Sequence, residues 1–111
     1  MRINTQSHGA VTVIKPQGPL NQEDADALKE SLAEVSSKSM GRFIIDMTAI
    51  PFVDSRGLEV LVEASEQLER SGQTLKLCGT NETIREVFGV TELDRLFEHY
   101  DDTTTAVRSF L

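Results

Sequence analysis

Asp54-Ser55-Arg56-Gly57-Leu58 separates two segments of different periodicity. Before it, Phe43-Ile44-Ile45-Asp46-Met47 is a short, mostly apolar run of the kind that forms a buried strand. After it, apolar residues and one serine recur at helical spacing: Leu58, Leu61, Val62, Ser65 and Leu68. The stretch therefore predicts a strand, a loop and a helix in succession, with the hydroxyl of Ser55 where the helix begins. Free backbone N–H groups and the positive end of the helix dipole make that place suitable for a helix cap or for a phosphate.

The residue types of this motif leave both interpretations of Ser55 open. Serine is a favoured N-cap, whose hydroxyl accepts a bond from a backbone N–H and stabilises a helix by about 1 kcal/mol. Asp54 suits the local hydrogen bonds of a turn. Gly57 is unexpected, because a glycine in the first helical turn costs about 1 kcal/mol relative to alanine. Close approach of another backbone, from a neighbouring element or from a partner, is one reason for a glycine there.

Upstream of the motif, the sequence predicts a hairpin followed by a helix. Strands are expected over residues 3–6 and 10–15, around the turn Ser7-His8-Gly9. Pro16 is expected to end the second strand, since proline cannot donate to a ladder. Residues 36–41 are expected to form a polar connection to the strand over residues 42–47. Asn21 is predicted to cap the helix, whose buried face comprises Ala25, Leu28, Leu32 and Val35.

Downstream, the motif helix is predicted to run to about Arg70, before a strand over residues 74–78. A short helix ending at Gly89 and a short strand near residues 97–99 follow. Asp101 or Asp102 is expected to cap a last helix that holds Ala106, Val107, Phe110 and Leu111. Because strands alternate with helices after an opening hairpin, the fold class is α/β with a mixed sheet, in one domain spanning residues 1–111.

Composition and charge limit the classes of function. The formal net charge is −7 and the basic residues are scattered, which argues against nucleic acid and an anionic membrane surface as partners. No run is long enough to span a bilayer, and the first residues lack the apolar core of a signal peptide, so we expect a cytoplasmic location. Cys78, the only cysteine, lies in an apolar stretch and is predicted to be a core or near-core residue.

No constellation in the sequence indicates an enzyme. His8 and His99 have no partner at metal-ligand spacing, so no metal site is predicted. Glycine-rich phosphate-binding loops are absent, and Ser55 does not lie in a nucleophile elbow. We therefore expect no catalytic residue, no cofactor and no enzymatic activity.

Ile44-Ile45-Asp46-Met47-Thr48 followed by Ile50-Pro51-Phe52-Val53-Asp54-Ser55-Arg56-Gly57-Leu58 resembles the strand, loop and helix start of a STAS domain. The resemblance is strongest to bacterial anti-sigma factor antagonists. It extends in order over nearly the whole chain through Gly18-Pro19-Leu20-Asn21, Leu75-Lys76-Leu77-Cys78-Gly79 and Val87-Phe88-Gly89-Val90-Thr91-Glu92-Leu93. It implies a small α/β domain with a central mixed sheet of four to five strands and about four helices packed largely on one face.

The resemblance also implies a function. In this family the serine of the motif, here Ser55, is phosphorylated by a serine kinase of the histidine-kinase-like ATPase type that is itself the anti-sigma factor. The unphosphorylated antagonist binds the kinase and frees the sigma factor; the phosphorylated form is released, and a serine phosphatase resets it. The residues expected to contact the partner are Asn21, Asp54, Ser55, Arg56, Gly57 and Leu58.

Two positions depart from the common family pattern. Asn21 stands where the family often has aspartate, which keeps the cap but removes a charge. Glu59 follows Leu58 where a small residue is frequent, which adds a charge near the expected contact face. An alternative within the same fold is a STAS scaffold that does not switch, or an accessory subunit of a transport or stress-signalling complex. In that case Ser55 would be only a helix cap.

Overall fold

The strands and helices follow one another as the alternation of sequence patterns predicts. A computed structural model describes residues 1–111, and its strands form one sheet in the order β1-β2-β3-β4-β5. β1 pairs with β2 antiparallel, and the remaining neighbours are parallel. The sheet is therefore mixed, as predicted. The elements are β1 (Arg2–His8), β2 (Val11–Gln17), α1 (Gln22–Ser39), β3 (Phe43–Asp46), α2 (Ser55–Glu69), β4 (Leu75–Cys78), α3 (Glu82–Val90), β5 (Phe97–Tyr100) and α4 (Thr103–Arg108).

Alternate residues of the central strands supply two separate layers of core. Ile14, Ile45 and Leu77 point to one face, where they pack with the apolar stripes of α1, α2 and α3. Val13, Ile44 and Cys78 point to the other face, where Ala106 of α4 covers them. The prediction of helices largely on one face is confirmed, with α4 alone on the opposite side. None of the helices is both long and apolar enough to cross a membrane.

The prediction that Pro16 ends the second strand is wrong. β2 continues to Gln17, and Pro16 lies opposite Ile3 of β1. Pairing with β3 covers only residues 12–14, so β2 has a single neighbouring strand at Pro16. The missing N–H therefore leaves no gap in the parallel ladder. The predicted turn is also shorter, since Ser7 and His8 pair within β1 and the chain reverses at Gly9, where φ is +65°.

The first helix is longer than predicted, because residues 36–39 continue it. The Ser39 hydroxyl donates to the carbonyl of Val35 at 2.7 Å, which satisfies a buried polar side chain within the helix. Lys38 pairs with Glu34 one turn earlier at 2.7 Å. The third helix likewise passes through Gly89 to Val90. At the C-terminus, Phe110 and Leu111 lie beyond the last helix, which Asp102 caps through the N–H of Thr105.

Cys78 is buried at the end of β4, as the sequence predicts, with 1% of its surface exposed. Burial raises the pKa of its thiol, because the thiolate would lose its hydration there. The neutral thiol therefore packs as a small apolar group among Val13, Ile44 and Ala106.

Met40 ends α1 in the left-handed region, with φ of 56° and 73% of its surface exposed. An L-residue there is strained, and little packing is lost if its side chain is removed. We expect Met40→Gly to raise the free energy of unfolding by about 0.5–1 kcal/mol in urea denaturation. Val90→Gly removes an apolar side chain that is 86% exposed at an ordinary φ and should lower stability instead. Equal losses from both variants would contradict the strain at Met40.

Candidate functional site

The helix start in the motif is capped by Asp54, and Ser55 is the first helical residue. Asp54 has an extended backbone, with φ −92° and ψ −177°, and its Oδ1 accepts from the N–H of Gly57 at 2.9 Å. The interpretation of Ser55 as the N-cap is therefore wrong, because the aspartate one residue earlier takes that bond. The side chain of Ser55 is exposed at the N-terminus of α2.

The start of α1 lies beside the start of α2, and the carboxylate of Asp54 bonds to both. Oδ2 of Asp54 accepts from the N–H of Gln22, the first residue of α1, at 2.9 Å. Asn21 caps α1 as predicted, since its Oδ1 accepts from the N–H of Asp24 at 3.1 Å. The positive ends of two helix dipoles therefore lie next to each other at this site.

Backbone bonds hold the segments before these helices together. The N–H of Leu20 donates to the carbonyl of Phe52, and the N–H of Asp54 donates to the carbonyl of Leu20, each at 3.0 Å. A parallel bridge joins Leu20 to Val53. The backbone directly before Ser55 is thus fixed against the segment that precedes α1.

Gly57 is buried where α2 touches the segment before α1. A Cβ added there would lie 2.5 Å from the carbonyl oxygen of Leu20 and 2.8 Å from Cγ1 of Val53. The reason for the glycine is therefore close approach by a neighbouring element of the same chain. Gly57 allows the two helix starts to come together.

Arg56 is bound by carboxylates of its own chain. Its guanidinium lies 2.8 Å from Asp26 of α1, 3.1 Å from Glu59 and 3.8 Å from Glu63. The hydrogen bond to Asp26 is the main cause that raises the pKa of Arg56. Glu59, the acidic departure from the family pattern, therefore pairs with Arg56 and remains largely exposed.

Two apolar side chains also belong to the site. Leu58 is half-buried against the main core, whereas Phe52 in the loop before α2 has half of its surface exposed. The side chain of Asn81, the N-cap of α3, donates to the carbonyls of Ile50 and Pro51 at 3.3 and 3.1 Å and so fixes that loop. Phe52 and Ser55 are therefore both exposed in the segment that follows β3.

Sequence reasoning missed three of these features. It found neither the bond from Asp54 to Gln22, nor the pairing of Arg56 with Asp26, nor the contact of Asn81 with the loop. Each joins residues about thirty or more positions apart, where no local spacing signals the contact. The one available signal was Asn81 as a helix cap, which leaves an amide N–H₂ free to donate elsewhere.

These contacts limit the chemistry that the site can carry out. Ser55 offers an exposed hydroxyl, but the carboxylate next to it is committed to two backbone N–H groups. The arrangement therefore leaves the Ser55 hydroxyl exposed to solvent, with no free carboxylate beside it.

Comparison with known proteins agrees with this architecture. The model of the STAS domain family matches residues 2–106. The anti-sigma-F factor antagonist RsfB of Mycobacterium tuberculosis is 29% identical over 108 residues, which cover 96% of this chain and 88% of RsfB. An anti-sigma factor antagonist from Mycobacterium paratuberculosis has a similar structure, with a TM-score of 0.83 and 22% identity over 97% of this chain and 92% of that one.

SpoIIAA resembles this chain in both its unphosphorylated and its phosphorylated form. The unphosphorylated form of this anti-sigma factor antagonist gives a TM-score of 0.73, with 16% identity over 98% of this chain and 96% of that one. The phosphorylated form of the Bacillus protein also gives 0.73, with 17% identity over 99% and 100%. The STAS domain family model matches nearly the whole chain, residues 2–106, and the chain therefore belongs to the STAS domain family.

Proposed function

We propose that this protein is an anti-sigma factor antagonist that switches by phosphorylation of Ser55. In its unphosphorylated form it binds a serine-kinase anti-sigma factor and so frees a sigma factor. The observation that carries the proposal is the exposed hydroxyl of Ser55 at the first residue of α2, with the capping bond made by Asp54. The names of the relatives support the same function, since RsfB is an anti-sigma-F factor antagonist.

The charges around Ser55 determine how a phosphate on its hydroxyl would affect the fold and the exposed surface. Phosphorylation adds about −1.5 to −2 charge. The start of α2 tolerates an anion, so the fold is expected to survive. Arg56, the adjacent cation, is already paired with Asp26 and Glu59, and the neighbouring Asp54 is itself anionic. The phosphate would therefore find no unpaired side-chain cation beside it and would stay at the surface, at the start of the helix.

Release of the phosphorylated protein from its kinase then needs only the change of charge at the contact surface. A partner docked over Ser55, Leu58 and the adjoining residues Asn21, Arg56 and Gly57 would have to bury the new dianion. Burying an uncompensated charge costs several kcal/mol, and 1.4 kcal/mol lowers affinity tenfold. The modified antagonist leaves its kinase without any large change of shape, and a serine phosphatase restores the binding form.

The remaining parts of the proposal rest on the composition and charge of the chain. The protein acts by contact with other proteins in the cytoplasm. It carries out no chemistry itself, and nucleic acids and membranes are not among its partners. The acidic chain, with a net charge of −7, favours partners that present basic surfaces.

A pull-down from the native host tests this proposal directly. Immobilised wild-type protein should recover a kinase of the histidine-kinase-like ATPase type, and incubation with ATP should add one phosphate at Ser55, as mapped by mass spectrometry. Ser55→Ala should recover the same kinase and remain unmodified. Phosphate at another residue, or none on the wild type, would contradict the switch and favour the STAS scaffold that does not switch.

A further inference from the structure

We infer that Asp54 is a positioning residue, which ties the starts of α1 and α2 together and so presents Ser55 to the kinase without contacting it; this rests on the function proposed above. The resemblance of the motif suggested a direct contact with the partner for Asp54. The structure favours an internal role, because the side chain is half-buried and both of its oxygens are bonded to backbone of the same chain.

The two bonds of Asp54 are made to different helices. Oδ1 satisfies the N–H of Gly57 in α2, and Oδ2 satisfies the N–H of Gln22 in α1, both at 2.9 Å. Residues 22 and 54 are 32 positions apart, so the carboxylate closes a long loop at the position next to Ser55. A carboxylate is the group that can do this, since it accepts on both oxygens.

Phosphoryl transfer to Ser55 depends on how precisely its hydroxyl is positioned. The protein that carries the acceptor hydroxyl contributes little beyond holding it in line with the leaving group. Ser55 directly follows Asp54, and its position depends on where α2 begins relative to α1. Loss of the bond to Gln22 should therefore slow the transfer step more than it weakens the initial encounter with the kinase.

An asparagine at position 54 is expected to keep one of the two hydrogen bonds of Asp54 and to lose the other. Its amide oxygen can still accept from Gly57 and cap α2, since asparagine and aspartate cap helices about equally well. Its amide nitrogen is a donor and would face the N–H of Gln22, which also donates. Asp54→Asn thus keeps the cap of α2 and removes the link to α1.

Asp102→Asn is the matched control. Asp102 caps α4 through the N–H of Thr105 at 2.8 Å, on the opposite face of the sheet. The substitution removes the same charge and also keeps a helix cap. It should leave both the backbone at Gln22 and the phosphorylation of Ser55 unchanged.

Amide hydrogen exchange and phosphorylation kinetics test the inference together. In Asp54→Asn, exchange at Gln22 should become about tenfold faster while Gly57 stays protected. With the kinase recovered from the host, kcat for phosphorylation of Ser55 should fall about tenfold, and KM should stay at the wild-type value.

Several results would overturn the inference. Unchanged exchange at Gln22, with Gly57 still protected, would show that the link is absent in solution. A rise in KM with unchanged kcat would show that Asp54 contacts the kinase, and unchanged kinetics with fast exchange would show that the link does not position Ser55. A wild-type chain that is not phosphorylated at Ser55 would instead refute the proposed function, and the exchange at Gln22 would still decide whether Asp54 joins the two helices.

Discussion

Ser55→Asp should bind the kinase anti-sigma factor about 100-fold more weakly than the wild-type protein, whereas Ser55→Ala should bind with wild-type affinity. The exposed hydroxyl of Ser55 can be removed without loss of a cap, because Asp54 makes the capping bond. A carboxylate at the same place would be buried by the partner beside the carboxylate of Asp54. An uncompensated buried charge costs several kcal/mol, of which about 3 kcal/mol accounts for a factor of 100.

Isothermal titration calorimetry with the recovered kinase measures this difference. Thr104→Asp is the matched control, since Thr104 is exposed in the first turn of α4 on the opposite side of the sheet. It introduces the same charge near a helix start and should leave the affinity unchanged. Equal affinities of the Ser55→Asp and Ser55→Ala variants would refute the electrostatic explanation of release. Equal losses in Ser55→Asp and Thr104→Asp would point to net charge as the cause.

The order of strands and helices could be predicted from the sequence, because the central strands and the longer helices have the apolar pattern of their type. β1, whose only apolar residue is Ile3, was predicted from the turn that follows it. β3 is buried along its whole length, and the predicted face of α1 is buried at Ala25 and Leu28. The ends of elements were harder to predict, since they depend on neighbours that local patterns do not describe. Pro16 stays within β2 because β3 no longer pairs at that position.

The candidate site could be predicted in its place but not in its contacts. An aspartate followed by a serine offers two capping residues in succession, and both are favoured N-caps. Asp54 is the cap because it meets α2 and α1 at once, through Gly57 and Gln22. That choice depends on the packing of two helices distant in sequence, and nothing in the local pattern encodes it.

Gly57→Ala should destabilise the protein by about 2 kcal/mol, which corresponds to a melting temperature lower by about 8 °C. Alanine normally stabilises a helix relative to glycine, by about 1 kcal/mol. At Gly57 this gain is outweighed, because the new Cβ would lie 2.5 Å from the carbonyl oxygen of Leu20 and 2.7 Å from its Cγ. The backbone oxygen cannot move without disturbing the bond that Leu20 accepts from Asp54.

Gly89→Ala makes the same change where the structure leaves space. Gly89 is exposed in α3, and a Cβ there would meet nothing within 4 Å, so the substitution should raise stability by about 0.5 kcal/mol. Urea denaturation of the two variants should thus give effects of opposite sign. Stabilisation by Gly57→Ala would show that α2 and Leu20 are not packed closely. Destabilisation, with faster amide exchange at Gln22, would show that the close approach at Gly57 and the bond from Asp54 hold the same two helix starts together beside Ser55.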